Sequence, residues 1–476
     1  MNVTFIVAIR YAYRVPNLDA LKALTMRIVS TICLVLIVVT VVAQSTLIKN
    51  VSIIPMNREN IILKNQDVLI TNGLIKAIGD AGTIKRLNKY IVIDGKGKFL
   101  MPSFVDMHVH LERFTDKKDL MLFLINGVTM VRNMDGRPEI LEWKRNVKNQ
   151  SLIGPEIRTG GPILEGKRPF WQDTEKVTSK EEAEKAVEEH KKLGYDFIKV
   201  YFTLSKDVYY AILKHAKGLG IDVVGHIPNS INIEEAMIGG QKSIEHLDGY
   251  EDWIEAKSSP SYNKYSWLKP YFAMQVDASQ IKTAVDLGRK YDTWNCPTLI
   301  VKNKLAAIDT LKMWHREAQN RLVPGYMLDG WKPELFTKII DSISGEEWQR
   351  IYRGKKVKSD LVYNIFKANG KILLGTDTPN PFVIPGYAVH EELQNLVDAG
   401  LSNYEALLCA TSKPAEFFKE TASWGTIEKG KQANIILLNA NPLKKISHSK
   451  LLYGVLIKGK FYLSNELQKR YKGNNL

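Results

Sequence analysis

Residues 103–110 read SFVDMHVH, with apolar Phe104, Val105, Met107 and Val109 set among Asp106, His108 and His110. A short apolar run bounded by Pro102 reads as a β-strand, and the two-residue period of a strand places His108 and His110 on the same face at its end. Two imidazoles so placed can share one metal ion. By itself the pair is weak evidence, since ordinary hydrogen-bonded histidines are the commoner case, so the surrounding pattern has to decide. Downstream, similar runs recur as GVTMVRN (127–133), EIRTG (156–160), DFIKVYF (196–202), IDVVGH (221–226), KSIEHL (242–247), WNCPTLI (294–300) and KILLGTD (371–377). Helix-patterned stretches fill the gaps. Strands alternating with helices signal repeated βα units, and eight in series predict an α/β chain with a closed (β/α)8 TIM barrel over residues 101–415.

Within that region, a helix is expected over Ser179 to Leu193, with Thr178 and Glu181 as a capping box and Gly194 as its stop, and another over Lys206 to Gly218. The interval 301–357 is too long for a simple βα connection and reads as an insertion at the barrel mouth. It carries Trp314, Trp331 and Trp348, for which packing is the main expectation and a pocket wall the alternative. On either side, 44–100 and 416–476 consist of β-branched runs broken by turn residues, as in ENIILKNQDVLITNG and GTIEKGKQANIILLNANPL. Both ends are therefore expected to build one composite β-sandwich domain beside the barrel.

Active sites of such barrels lie at the C-terminal ends of the strands. There the sequence places His108 and His110 on strand one, Lys199 on strand four, His226 on strand five, His246 on strand six and Asp377 on strand eight. Six ligand-type groups at the ends of five apolar strands are hard to explain as packing. Lys199, between Ile198 and Val200, is expected to point inward rather than to snorkel to solvent. Tyr201 shares its face by strand parity and Arg132 ends strand two, so both are candidate substrate contacts, with Tyr250 a further one. His390 reads as a helix-face residue.

Together with GVTMVRNMDG, YDFIKVY, SIEHLDG, LLGTDTP and the tail ATSKPAEFF, the leading phrase KFLMPSFVDMHVH resembles the amidohydrolase superfamily from about Thr46 to the C-terminal strands. The resemblance is to the branch of imidazolonepropionase-like hydrolases and metal-dependent Xaa-Pro or Xaa-Arg dipeptidases. It implies His108, His110 and Asp377 as ligands of a buried metal and His226 and His246 as ligands of a second. Lys199 would be carboxylated and bridge the two. Two divalent ions, zinc by the imidazole-rich set, would activate a bridging water, with Asp377 as general base and then acid. Asn133 and Asn434 depart from the branch pattern outside the metal set. The implied activity is hydrolysis of an amide-type C–N bond in dipeptides or N-acyl amino acids. The alternatives are a mononuclear deaminase or cyclic-amide hydrolase, which generally lacks the strand-four lysine, and a non-catalytic barrel scaffold.

The composition bounds the partners. The chain has 476 residues, 66 Lys+Arg against 51 Asp+Glu and a formal charge of +15, yet the cations are scattered and no nucleic-acid motif stands out, so no nucleic-acid partner is expected. A small-molecule or dipeptide substrate is, and the resemblance is compatible with homo-oligomers. Of three cysteines, Cys33 falls in the apolar run from Ile28 to Ala43 (IVSTICLVLIVVTVVA), and Cys296 and Cys409 are expected to be unpaired. That run is shorter than the ~20 residues of a spanning helix and ends in small residues, so it reads as a signal peptide. The expectation is a start at Met26 rather than Met1, cleavage near Gln44, a secreted or periplasmic protein, and no membrane span in the mature chain.

Overall fold

Each of the eight apolar runs becomes a parallel strand: Phe104–Val109, Val128–Asn133, Glu156–Thr159, Phe197–Val200, Asp222–Gly225, Ser243–Glu245, Trp294–Cys296 and Lys371–Ile372. The computed structural model describes residues 45–84, 90–171, 173–259, 275–307, 322–332, 335 and 344–473. The apolar run from Ile28 to Ala43, with Met26, Cys33 and Trp314, lies outside the described residues. Strands one to three pair in order, and strands four to eight do the same. Two seams join these arcs. Gly160 bridges Phe197 after strand three, and Val109 bridges Thr378 after strand eight, where the Met107 N–H also donates to the Leu374 carbonyl at 2.9 Å. The ring is closed, and the fold is a (β/α)8 barrel with a flanking β domain.

The barrel interior is filled as a core. Val105, Met107, Met130, Phe197, Val224, Trp294, Cys296 and Leu373 pack with Phe417 and Trp424 from beyond the last barrel helix. Strand eight is regular only over Lys371–Ile372, and the rest of its run continues as extended chain against strand one. Gly375 allows that approach. A β-carbon there would lie 2.4 Å from Cys296 Sγ and 2.7 Å from His108 Cβ.

Several boundaries shift from the sequence reading. The helix Lys180–Leu193 is capped by Ser179, whose hydroxyl accepts from the Glu182 N–H, while Thr178 N–H and hydroxyl both donate to Glu182 Oε2. The cap thus sits one residue later than the Thr178 and Glu181 pair, because serine at 179 can itself take the N-cap conformation. Gly194 closes the helix at φ 92°. The run WNCPTLI is strand only to Cys296, and Leu299–Ala306 is helix, its first N–H groups at Leu299 and Ile300 donating to the buried Glu392 carboxylate at 2.7 Å each. Further helices, Gly325–Gly330 and Gly345–Lys367, lie in the long interval before strand eight.

Strands from both ends of the chain share one eight-stranded sheet. Ser45–Ile53 pairs with Leu63–Thr71, Tyr90–Asp94 and Phe99–Pro102, and Phe99–Pro102 pairs antiparallel with Ile435–Leu438, which continues into Leu452–Ile457 and Lys460–Leu463. The sheet curls until Leu74 meets Gln432, and it encloses its own core of Ile48, Val51, Ile53, Val68, Ile70, Ile435, Leu437 and Leu456. Cys296 and Cys409 are both free and buried. Among the described residues no helix is long and apolar enough to cross a membrane.

Candidate metal centre

The barrel rim gathers imidazoles from three strands around one carboxylate. His108 Nε2 lies 3.4 Å and His110 Nε2 3.2 Å from Asp377 Oδ1, and His246 Nδ1 lies 3.9 Å from Asp377 Oδ2. The His108 and His246 rings are 4.6 Å apart, and those of His246 and His226 4.8 Å. Donor atoms of His108, His110 and Asp377 all fall within 4.8 Å of one another, the spacing of a shared cation site. His246 and Asp377 both hold φ near 60°, a conformation uncommon for residues with a β-carbon, and strain of this kind collects at functional sites.

Lys199 is fully buried beneath this ring of groups. Among the described residues its Nζ has no hydrogen-bond partner, and neither do His108 Nε2 or His226 Nδ1. Gly225, at φ 132°, leaves the lysine its space, since a β-carbon would meet Lys199 Cδ at 3.1 Å. Buried polar atoms are normally satisfied, so orphaned nitrogens of a lysine and two histidines at one barrel rim are what a site built for another group looks like. Imidazole nitrogens with a carboxylate and a lysine that can carry a carboxylate of its own form a donor set suited to divalent cations.

The electrostatics follow from burial. Desolvation and the charge on Lys199 push His108 down to about 4, and desolvation lowers His226, His246 and Lys199 as well. Burial also opposes charge on His110, but Glu112, 2.7 Å from its Nδ1, and Asp377 raise it to about 9. Burial opposes the Asp377 carboxylate too, and His108, His110 and His246 outweigh it, holding Asp377 well below the usual range. Neutral His108, His226 and His246 and an ionised Asp377 are in the forms that bind metal, whereas His110 would have to release a proton to do so.

Several residues that the sequence reading missed set the orientation of these groups. Glu245, fully buried, accepts from His108 Nδ1 at 2.8 Å, which leaves Nε2 bare toward Asp377. His246 Nδ1 lies 2.7 Å from the Thr298 hydroxyl, and the Lys358 ammonium donates to the His246 carbonyl. Asp248 faces His226 at 3.5 Å. Asn133 accepts from the Leu111 N–H at 2.7 Å, fixing the chain just past His110.

Two expected substrate contacts are corrected. Arg132 is fully buried and spends its guanidinium on the Met107 carbonyl, the Ser243 hydroxyl and both oxygens of Glu245. It braces strands one, two and six against one another and is not among the residues that line the cavity. Tyr250 is also fully buried and lies outside the cavity lining, its hydroxyl 3.1 Å from the position a β-carbon on Gly288 would take. Tyr201 does line the cavity, its ring 3.9 Å from that of His226. Trp331 packs against Phe382 and Trp348 stacks on Tyr352, and neither lines the cavity. His390 lies on the helix Tyr387–Asp398, 3.0 Å from the Ser449 hydroxyl.

Over the rim opens a cavity of about 1790 Å³ that His110, His226, His246 and Asp377 all line. The model of the family described as Amidohydrolase family matches residues 99–462. The chain belongs to the amidohydrolase family. Bottromycin amidohydrolase shares the fold at a TM-score of 0.70 and 20% identity, over 91% of each chain. A Xaa-Pro dipeptidase with bound methionine does so at 0.64 and 18%, covering 88% of this amidohydrolase and 100% of the dipeptidase. In sequence, 88 residues are 32% identical to adenine deaminase 2 of Shouchella clausii (strain KSM-K16), 18% of this chain and 15% of that protein. Over 119 residues the chain is 34% identical to a dihydroorotase of Carboxydothermus hydrogenoformans, and these two relatives are matched over only 15% and 26% of their own lengths.

Proposed function

We propose that this amidohydrolase is an exported enzyme that hydrolyses an amide-type C–N bond in dipeptides or N-acyl amino acids. The observation that carries the reading is the fully buried Lys199, whose Nζ has no hydrogen-bond partner among the described residues, beside His108, His110, His226, His246 and Asp377. His108, His110 and Asp377 would hold one divalent cation and His226 and His246 another, with Lys199 bridging as a carbamate. The carbamate forms when the neutral amine adds carbon dioxide and releases a proton, and burial favours that neutral amine. When bound, two zinc ions supply an activated water and polarise the scissile carbonyl.

The protein's own groups do the rest. Asp377, ionised and open to the cavity, takes the proton of the attacking water at a carboxylate oxygen and delivers it to the leaving amine. Tyr201, whose hydroxyl burial keeps protonated, is placed to donate to the substrate carbonyl oxygen. Glu245 and Thr298 hold the rings of His108 and His246 in place. Export is supported by the apolar run from Ile28 to Ala43. A prolidase-like or dipeptidase-like specificity has the shared fold of the Xaa-Pro dipeptidase in its favour.

The test is a metal count on the purified protein, followed by a dipeptide and N-acyl amino-acid library on the zinc-loaded form. Two ions per chain and release of free amine are expected. A chain that holds no divalent metal and hydrolyses nothing is a scaffold. A mononuclear deaminase, favoured by the segment related to adenine deaminase 2, would bind one ion and release ammonia.

A further inference from the structure

One wall of the cavity is aromatic, and the segment that builds it contributes no candidate metal ligand. The chain leaves the short strand Leu164–Glu165, returns at Glu175–Lys176, and carries Phe170 and Trp171 at the cavity lip in between. Glu165, fully buried, pins this segment. Its Oε2 accepts from the Phe170 N–H at 2.6 Å and the Trp171 N–H at 3.4 Å, and its Oε1 accepts from the Thr203 hydroxyl at 3.1 Å. The Gly166 N–H donates to the same hydroxyl, and the contact is so close that a β-carbon on Gly166 would lie 2.1 Å from the Thr203 carbonyl oxygen.

Held this way, the rings form a ladder from solvent to the metal centre. Phe170 and Trp171 centroids are 5.0 Å apart, Phe170 and Tyr201 6.1 Å, and Tyr201 and His226 3.9 Å. Phe170 and Trp171 are each 47% exposed, so two adjacent large rings stay in water at the mouth of a deep cavity, although the segment that carries them is firmly tied down. Trp171 is also tied to the chemistry. Its indole N–H donates to the Tyr201 hydroxyl oxygen at 3.1 Å, and the Tyr201 hydroxyl proton has no acceptor among the described residues. An oxygen that accepts from the indole turns its own proton elsewhere, and Tyr201 lines the cavity.

We propose that Phe170 and Trp171 form a subsite for an apolar, preferably aromatic, substituent carried by the substrate next to the hydrolysed bond, and that Trp171 is in addition a positioning residue for the Tyr201 hydroxyl. The proposal rests on the hydrolase reading above. It is tested on the zinc-loaded protein with Xaa-Gly and Gly-Xaa dipeptides in which Xaa is Ala, Leu or Phe. In one of the two series kcat/KM for Phe should exceed that for Ala by about 10-fold or more, the size expected for burying a ring. Phe170→Ala and Trp171→Ala should bring that ratio toward one, whereas a merely structural loosening would lower all members together and leave the ratio intact. Trp171→Phe keeps a ring but loses the N–H, so it should retain the ratio and the KM values while lowering kcat for every substrate. A ratio near one in the unaltered protein, or a ratio unchanged in both alanine variants, overturns the subsite, and an unchanged kcat in Trp171→Phe overturns the positioning role. Should neither these dipeptides nor N-acyl amino acids be cleaved, the hydrolase reading fails, and isothermal titration with the same dipeptides then judges the subsite. Tighter binding of the Phe members that Trp171→Ala abolishes supports it, and equal binding of Phe and Ala members overturns it.

Discussion

Lys199 is the residue on which the proposed chemistry turns, because a buried lysine with no hydrogen-bond partner among the described residues is costly unless it is modified or neutral. Lys199→Ala is expected to lose most second-site metal and most turnover, with partial recovery when short carboxylates such as formate or acetate are added, as read by metal analysis and rate together. Unaltered metal content and turnover would refute the carbamate. Next to it, Arg132 and Glu245 form a fully buried ion pair that fixes His108. Glu245→Gln leaves Arg132 without its counter-charge, so a loss of about 3–5 kcal/mol is expected in urea unfolding. Weaker metal retention against a chelator should accompany it, by about 10- to 100-fold for a lost partner of a ligand. The side chains gathered at the barrel rim were legible because residue type and strand end coincide in SFVDMHVH, VVGH and LLGTD. Glu245 was not. Alternation puts it on the face opposite His246, but His246 turns out of the strand at φ 59°, so both point inward. Arg132 was misread for a related reason, since a guanidinium at a strand end looks like a substrate hook until its acidic partner is known.

At the scale of elements, the barrel strands were legible from their apolar runs, while their ends were not, because tertiary contacts decide where pairing stops. The last strand illustrates this. Its LLGTD stretch makes few regular pairings and relies on Gly375 to lie against His108 and Cys296. Gly375→Ala is therefore expected to cost about 1–3 kcal/mol by overpacking and to displace Asp377 from the histidines, so that metal binding falls more than stability does. Thermal melting and metal titration of the variant measure the two effects. The helix cap at Ser179 offers a control remote from the site. Ser179→Ala should cost about 1 kcal/mol with turnover unchanged. The aromatic wall was also hidden at this scale. The tryptophans of the 301–357 interval stand out in the sequence, whereas Phe170 and Trp171 gain their position from nearby Glu165, whose carboxylate is in turn held by Thr203 beyond strand four, a pairing with no local signature.

For the whole molecule, the closed ring of eight parallel strands makes the site a meeting point of distant segments, and a metal that binds only the folded ring adds to its stability by mass action. Removing metal with a chelator should lower the melting temperature by several degrees, and restoring zinc should return it. A melting temperature indifferent to chelation would argue against tight metal binding. The composite β domain was legible because both ends share strand and turn composition, though its single curled sheet depends on pairings no local pattern reveals. That weaving orders events during synthesis. Phe99–Pro102 emerges early, yet its partner Ile435–Leu438 is made only after the entire barrel has been translated. Until then one flank of the nascent sheet stays open. A polypeptide that withholds its final closure in this way can complete its architecture only once its last strands have been made.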